Sequence, residues 1–304
     1  MKRIYCLKFI IIFQFIINIF IIYKQLYLEY NSVNYEQDNI DDIDVNILFS
    51  IQKKINGIIQ LSLDQQKFLN GLIRKFKPKK LVEIGVSAGG SSALILNAIK
   101  DISKAKLYSI DKNIKWYLNP YKKVGWLVKQ NFPELMDKWN LYTGGNTAEF
   151  IEKIGNIDFV FIDTVHFTPG EMLNWLEILP FIKEEAIVVF HDTFLMFTGN
   201  YKMKNNTNYS NNQLLCYIRG NLIFPSYNHN IFSRNIGALQ LAKNQKLYYK
   251  QYFLALGNQW HYLPEEKDLT ILREHFIKYY GVFLVEIFDD AVRKNKYRLQ
   301  QRKL

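Results

Sequence analysis

The sequence predicts an α/β fold in which a mostly parallel sheet is buried by helices on both faces. Two observations carry this. From Lys80 onward, five short apolar runs alternate with segments of helical length: LVEIG (81–85), LYSID (107–111), WNLYTG (139–144), IDFVFID (157–163) and AIVVFHD (186–192). That alternation marks βαβ units, and near-continuous apolarity marks strands that meet water on neither face. The second observation is where the polar residues stand. Glu83, Asp111, Asp163 and the pair His191 and Asp192 fall at or near the carboxyl ends of the runs, outside which open α/β sheets bind their ligands. Any one aspartate could equally cap the helix that follows it; the whole set gathered at one end points to a site.

Taken in order, the chain opens with an apolar stretch over residues 4–23, FIIIFQFIINIFIIY at its heart, close to the length that crosses a bilayer. Gln14 and Asn18 weaken it, Lys8 can snorkel, and no small-residue cleavage site follows. Residues 1–23 are therefore expected to be a membrane anchor, and residues 24–50 an acidic linker. Apolar spacing then predicts a helix over 52–77, stopped by Pro78. The strand and helix alternation defines a domain over 51–245. A helical extension follows over 246–304, with an apolar stripe at Leu269, Leu272, Phe276, Tyr279 and Tyr280 that reads as core or a homo-oligomer face. Residues 194–230 read as a long polar, Asn-rich and aromatic loop that either covers an acceptor pocket or is an insertion with no role.

The chain has 304 residues, 49% hydrophobic and 22% charged, with a net charge of +11, an ordinary globular balance. The basic residues are scattered, and their densest cluster is the tail from Arg293 to Lys303. No nucleic-acid signature accompanies it, so a nucleic-acid partner is not expected. Cys6 and Cys216 are too few for a disulfide framework and form no CxxC pair.

The turn in VEIGVSAGGSSA (82–93) restricts the ligand. It lacks the GxGxxG spacing of a nicotinamide site, and Glu83 places a carboxylate where a pyrophosphate would sit. A ligand bearing both an ammonium and a carboxylate fits better, Glu83 meeting the cation and the amides from Ser87 to Ser91 the anion. Asp111 is placed to accept the two hydroxyls of a ribose. An amino acid joined to a nucleoside is S-adenosylmethionine.

VEIGVSAGGSSA, YSID, FVFIDTVH and IVVFHDT, in this order, resemble the class I S-adenosylmethionine-dependent methyltransferases, in the branch of macrolide-sugar O-methyltransferases and cephalosporin-hydroxylase-like proteins, over residues 61–245. The resemblance implies a Rossmann-like, seven-stranded sheet whose last strand is antiparallel, with SRNIGALQLA (233–242) as the candidate. It implies Glu83, Gly85, Ser87, Gly89, Asp111, Asn146 and Asp163 as cofactor contacts. It also implies O-methylation of a small-molecule, sugar or glycoconjugate hydroxyl. Asp163 and Asp192, at matching ends of neighbouring strands, could share a divalent cation that lowers the acceptor's pKa. His191 stands where metal-dependent relatives often carry a glutamate, and Asp, His, Asp suits manganese as readily as magnesium. His166, three residues past Asp163, is the candidate general base. His229, His261 and His275 have no acidic partner at useful spacing and read as structural or surface residues.

Two other functions compete. A short-chain NAD(P) oxidoreductase needs Tyr-x-x-x-Lys on a helix, and the match Tyr108 to Lys112 falls on an expected strand. A membrane-anchored Rossmann-like binding protein would keep the fold without turnover. Charge around the anchor, with Lys2, Arg3 and Lys8 before it and acids from Glu29 to Asp44 after it, places the body outside the cytoplasm. A requirement for cytosolic S-adenosylmethionine outweighs that statistical rule, so the catalytic domain is expected to face the cytoplasm.

Overall fold

The computed structural model describes residues 40, 45–193, 217–225 and 235–301. All belong to the second of two compact units, Ile40–Leu304. The expected anchor over 1–23, and with it the helix placed before the fold, lies outside the described residues. Among those described, no helix is long and apolar enough to cross a membrane.

Helices α1 (Val45–Lys54) and α2 (Leu63–Phe76) replace the single helix expected over 52–77. The chain breaks at Asn56 and Gly57, which take φ of 50° and 67°. Ser62 then restarts it with a capping box, its hydroxyl accepting from the Gln65 amide and the Gln65 side chain accepting from the Ser62 amide. Helix α1 begins inside the stretch read as linker. Leu48 and Ile51 are buried, so the end of that linker belongs to the folded unit.

The remaining elements follow as β1 (Lys80–Ile84), α3 (Gly90–Ile99), β2 (Lys106–Asp111), a hairpin of β3 (Lys115–Trp116) and β4 (Asn119–Lys123), α4 (Trp126–Asn131), β5 (Trp139–Thr143), α5 (Thr147–Ile154), β6 (Ile157–Ile162), α6 (Gly170–Ile178), β7 (Ile182–His191), β8 (Gly220–Ile223), β9 (Ile236–Leu241), α7 (Tyr249–Ala255), α8 (Glu266–Tyr280) and α9 (Val282–Gln301). Seven strands form one sheet in the order β5-β2-β1-β6-β7-β9-β8. The five apolar runs are its parallel strands, and β9, within SRNIGALQLA, runs antiparallel to both neighbours. From β1 the chain steps outward to β2 and β5, then crosses to β6 on the other side. Strand order therefore reverses between β1 and β6, which is where a ligand crevice opens. Strand β8 lies within the stretch read as a loop over 194–230, most of which falls outside the described residues. Its four residues are too short to announce themselves by alternation.

Burial alternates along the central strands as two-sided packing requires. Leu81, Phe159, Phe161, Ile187 and Val189 face α1 to α4. Val82, Val160, Ile162, Val188 and Phe190 face the other way, into a core shared with Trp175, Phe253, Trp260, Phe276 and Phe288. The residues after 245 thus complete the cover of one sheet face. Leu269, Leu272 and Phe276 of the expected stripe are core. Trp260 is central: its indole N–H donates to the Leu256 carbonyl at 2.8 Å, and its amide to Asn295 Oδ1 at 2.9 Å. Trp260→Ala should cost ~3–5 kcal/mol, and denaturant unfolding should remain one transition for sheet and C-terminal helices alike. A separate transition for the helices would mark them as an independent domain.

Candidate functional site

The turn after β1 is set by contacts that leave little freedom. Gly85 has φ +91°, and a Cβ there would lie 1.8 Å from the carbonyl oxygen of Asp163; only glycine lets the ends of β1 and β6 approach this closely. Asp111, at the end of β2, accepts the amides of Val86 and Ser87 on one carboxylate oxygen, each at 3.0 Å, and that of Asn113 on the other at 2.8 Å. A carboxylate has about four acceptor positions, so one remains for a ligand hydroxyl. Ser87 Oγ in turn accepts the Trp116 indole N–H at 3.1 Å. Helix α3 starts at this turn without a side-chain cap, leaving first-turn amides for an anionic group.

Two expected cofactor contacts are placed elsewhere. Glu83 shares strand parity with Leu81, so its side chain goes to the α3 face of the sheet and not into the crevice. Its carboxylate accepts the hydroxyls of Ser91 (2.6 Å), Ser92 (2.5 Å) and Ser109 (2.6 Å), Ser109 being its cross-strand neighbour on β2. Burial raises the Glu83 pKa to about 7 against the pull of these hydroxyls. Glu83 therefore ties β1, β2 and the start of α3 together and meets no ligand ammonium directly. Gly89, with φ +99°, backs onto Gly125, whose Cα would lie 3.1 Å from a Cβ built at Gly89, instead of facing the crevice.

From Ser87 and Asp111 a single cavity of ≈ 990 Å³ runs past Asn146 to Asp163, His166, His191 and Asp192, at the upper end of the range for ligand pockets. Asn146 caps α5, and its Nδ2 donates to Asp268 Oδ1 at 2.9 Å.

The far end of the cavity is a cluster of carboxylates and imidazoles. Strand register sets Asp163 level with His191, one step past the Ile162–Phe190 pair, and His191 Nδ1 lies 3.3 Å from Asp163 Oδ1. Asp192 takes φ 55°; Asn235 donates to one of its oxygens, and His166 Nε2 lies 2.8 Å from the other. His166 Nδ1 lies 3.2 Å from Glu171, a fully buried carboxylate at the start of α6. Burial disfavours charge on both imidazoles, yet the flanking carboxylates prevail: Asp192 and Glu171 hold His166 up to about 11, and Asp163 and Asp192 hold His191 up to about 10. Burial likewise opposes the ionised form of Asp192, but its hydrogen bonds and charge pairs with both imidazoles keep it well below the usual carboxylate range. So arranged, His166 already carries its proton at neutral pH. It is a hydrogen-bond donor to Asp192, and the general-base role expected from the sequence would require displacing that contact.

Asp163, His191 and Asp192 each offer a donor atom, all within 4.8 Å of one another, a spread that one cation with bonds of about 2.1–2.4 Å can span. Two carboxylates and an imidazole fit manganese as well as magnesium. His261 stacks on Phe167 with ring centroids 4.6 Å apart. His275 is buried 2.9 Å from the Glu177 carbonyl oxygen, and burial lowers its pKa to about 4. Both keep structural roles; His229 lies outside the described residues.

Sequence reasoning missed Glu171 and Asp268. Glu171, five residues past His166 at a helix start, could have been suspected as a partner for that imidazole. Asp268 is brought to the cavity by α8, where it also pairs with Lys112; a separation of 156 residues leaves no local signal.

A family model described as a methyltransferase domain matches residues 82–193. No curated protein matches the chain. Its fold is similar to a methyltransferase of Podospora anserina bound to S-adenosylhomocysteine (14% identity, 71% of this chain and 96% of that one, TM-score 0.48). It is similar also to an O-methyltransferase of Bacillus cereus with the same ligand (14%, 70% and 96%, 0.45) and to the O-methyltransferase TomG of Streptomyces achromogenes (14%, 72% and 96%, 0.44). Likenesses this distant carry no argument about activity. Over residues 82–193 the chain is similar to the methyltransferase domain family.

Proposed function

We propose that the chain transfers a methyl group from S-adenosylmethionine to a hydroxyl of a small molecule, sugar or glycoconjugate. The observation that carries this reading is the continuity of the cavity: the turn and carboxylate suited to an amino acid and a ribose open onto the acid and imidazole cluster suited to activating a hydroxyl. Ser87, the amides at the start of α3 and Asp111 would hold the cofactor, with Gly85 letting its backbone come close and Asn146 beside the base. The cofactor supplies an electrophilic methyl on a sulfonium. The protein's part is to hold the acceptor oxygen in line with it, exclude water and take up the hydroxyl proton, which would pass to His166 Nε2 in the state where that imidazole is neutral and released from Asp192. Asp163, His191 and Asp192 would hold a divalent cation, which lowers the hydroxyl's pKa. His166, fixed by Glu171, would orient Asp192 towards that group. Tyr108 and Lys112 offer no support for the oxidoreductase reading, because Tyr108 lies on β2 and Lys112 pairs with Asp268. We further propose that residues 4–23 associate with a membrane and that the catalytic domain works on its cytoplasmic side, where the cofactor is made.

Asp111→Asn should weaken binding of S-adenosylhomocysteine by roughly tenfold to a hundredfold, from loss of charge-assisted bonds, measured by calorimetry with NADH as a non-binding control. Unchanged affinity would remove the central assignment. His166→Ala should lower turnover by on the order of 10²-fold while leaving cofactor affinity intact; near-normal turnover would return His166 to a purely structural role. Excess EDTA should suppress turnover and added manganese restore it, whereas full activity under chelation would retire the cation site.

A further inference from the structure

We propose that the β3–β4 hairpin is a docking element that seats the mouth of the cavity on an anionic phospholipid surface, so that the acceptor hydroxyl is presented at a bilayer. The statement about the acceptor rests on the methyltransferase reading; the docking itself does not. The exposed apolar side chains here are neither scattered nor small. Ile114, Tyr117, Leu118 and Tyr121 are 59%, 60%, 65% and 95% exposed within eight residues, a concentration that marks an interaction surface and not the ordinary apolar background of a protein exterior.

Charge identifies the occupant. Between Asp111 and Glu134 the chain carries, besides Lys112, which pairs with Asp268, Lys115, Lys122, Lys123 and Lys129 and no acidic residue. Lys115 stands directly opposite Lys123 in the hairpin register, a like-charge pair that is unfavourable by itself. Neither has an ion-pair partner among the described residues. A second copy of the chain would bring more lysines against these. An anionic lipid surface relieves them and also receives the tyrosines and leucine, the combination of aromatic and basic residues that settles at membrane interfaces.

Position connects the hairpin to the chemistry. Trp116, Tyr117 and Leu118 line the cavity. The hairpin is tied to its rim by the Trp116 bond to Ser87 and by Gln60 Nε2, which donates to the Tyr117 hydroxyl at 2.5 Å. A surface that receives Leu118 and Tyr121 therefore lies at the entrance through which an acceptor reaches Asp163 and Asp192.

The test uses the full chain with phosphatidylcholine vesicles, with and without phosphatidylserine, and reads hydrogen exchange at residues 114–123, which keeps the hairpin separate from any binding through residues 4–23. Protection is expected on the phosphatidylserine vesicles and not on neutral ones. Tyr121→Ser combined with Lys123→Glu, positions outside the cavity, should lower that protection at least about tenfold. Vesicle binding with hairpin exchange unchanged would overturn the proposal. So would protection that appears without lipid as protein concentration rises, the signature of self-association, or that requires an added acidic protein. S-adenosylhomocysteine affinity, measured in the same samples, should match between wild type and variant; a wild type that docks but binds no S-adenosylhomocysteine would fail the methyltransferase reading and leave the docking intact.

Discussion

The approach of Gly85 to the Asp163 carbonyl is the constraint on which the site depends. It sits at the one place in the sheet where neighbouring strands leave in opposite directions, and it fixes how far apart the ends of β1 and β6 can stand. With a side chain there, the two ends would have to separate, and the turn carrying Ser87 would move off the carboxylate of Asp111. Two polar pegs hold the same geometry from either side. Asp111 fastens the turn from β2 through the amides of Val86 and Ser87. Glu83 fastens the start of α3 through Ser91 and Ser92. A buried carboxylate is costly unless its oxygens are occupied, and Glu83 is occupied by three hydroxyls, one of which, on Ser109, also accepts the Trp139 indole N–H at 2.8 Å. This network stands behind the cavity wall and supports the part that a ligand touches.

The opposite end of the cavity solves a different electrostatic problem. Asp163, Asp192 and Glu171 gather three carboxylates in a small, poorly solvated space, and like charges so placed would not all stay ionised without compensation. The hydrogen bonds and charge pairs of His166 and His191, each set between two carboxylates, provide it, while burial raises the pKa of Glu171. A divalent cation shared by Asp163 and Asp192 would supply the same compensation and release the imidazoles from that duty. The cluster therefore has two states of equal net charge built from one set of side chains, and the proton inventory of His166 depends on which one holds. That is why a histidine whose spacing suggests a base is found here as a donor.

Much of this could be read from the chain because the relevant signals are local. Apolar runs separated by helix-length segments define the parallel strands, and the acids at their ends are visible in the same few residues. What stayed hidden depended on direction or distance. That Glu83 turns to the α3 face follows from its strand parity with Leu81, but its occupation by Ser91, Ser92 and Ser109 follows only once β1, β2 and α3 are assembled. The break between α1 and α2 rests on left-handed conformations at Asn56 and Gly57, which an apolar periodicity continuing on both sides conceals. Strand β8 and the β3–β4 hairpin are short pieces with exposed faces, so they lack the burial pattern by which strands are recognised. Asp268 reaches the cavity only because α8 packs over α5 and α6.

The C-terminal helices thus do two jobs that composition alone separates poorly. Their apolar residues Phe253, Phe276 and Phe288, with Trp260 from the connection between α7 and α8, cover the sheet face beneath the crevice, and their polar residues finish its wall. Asp268 accepts from Asn146 and pairs with Lys112, linking the start of α5, the end of β2 and α8 around the stretch of cavity next to Asp111. A carboxylate held by two such partners at low exposure stays ionised more readily than it would alone; burial opposes this, but the hydrogen bonds and charge of Lys112 and the Asn146 amide bring its pKa below the ordinary value. The wall beside Asp111 is therefore fixed by elements distant in sequence, Asp268 being paired with Lys112, whereas the mouth is framed by the lysine-rich hairpin. On the methyltransferase reading, an acceptor entering there would pass from a basic, apolar rim to a cluster in which carboxylates and imidazoles are paired.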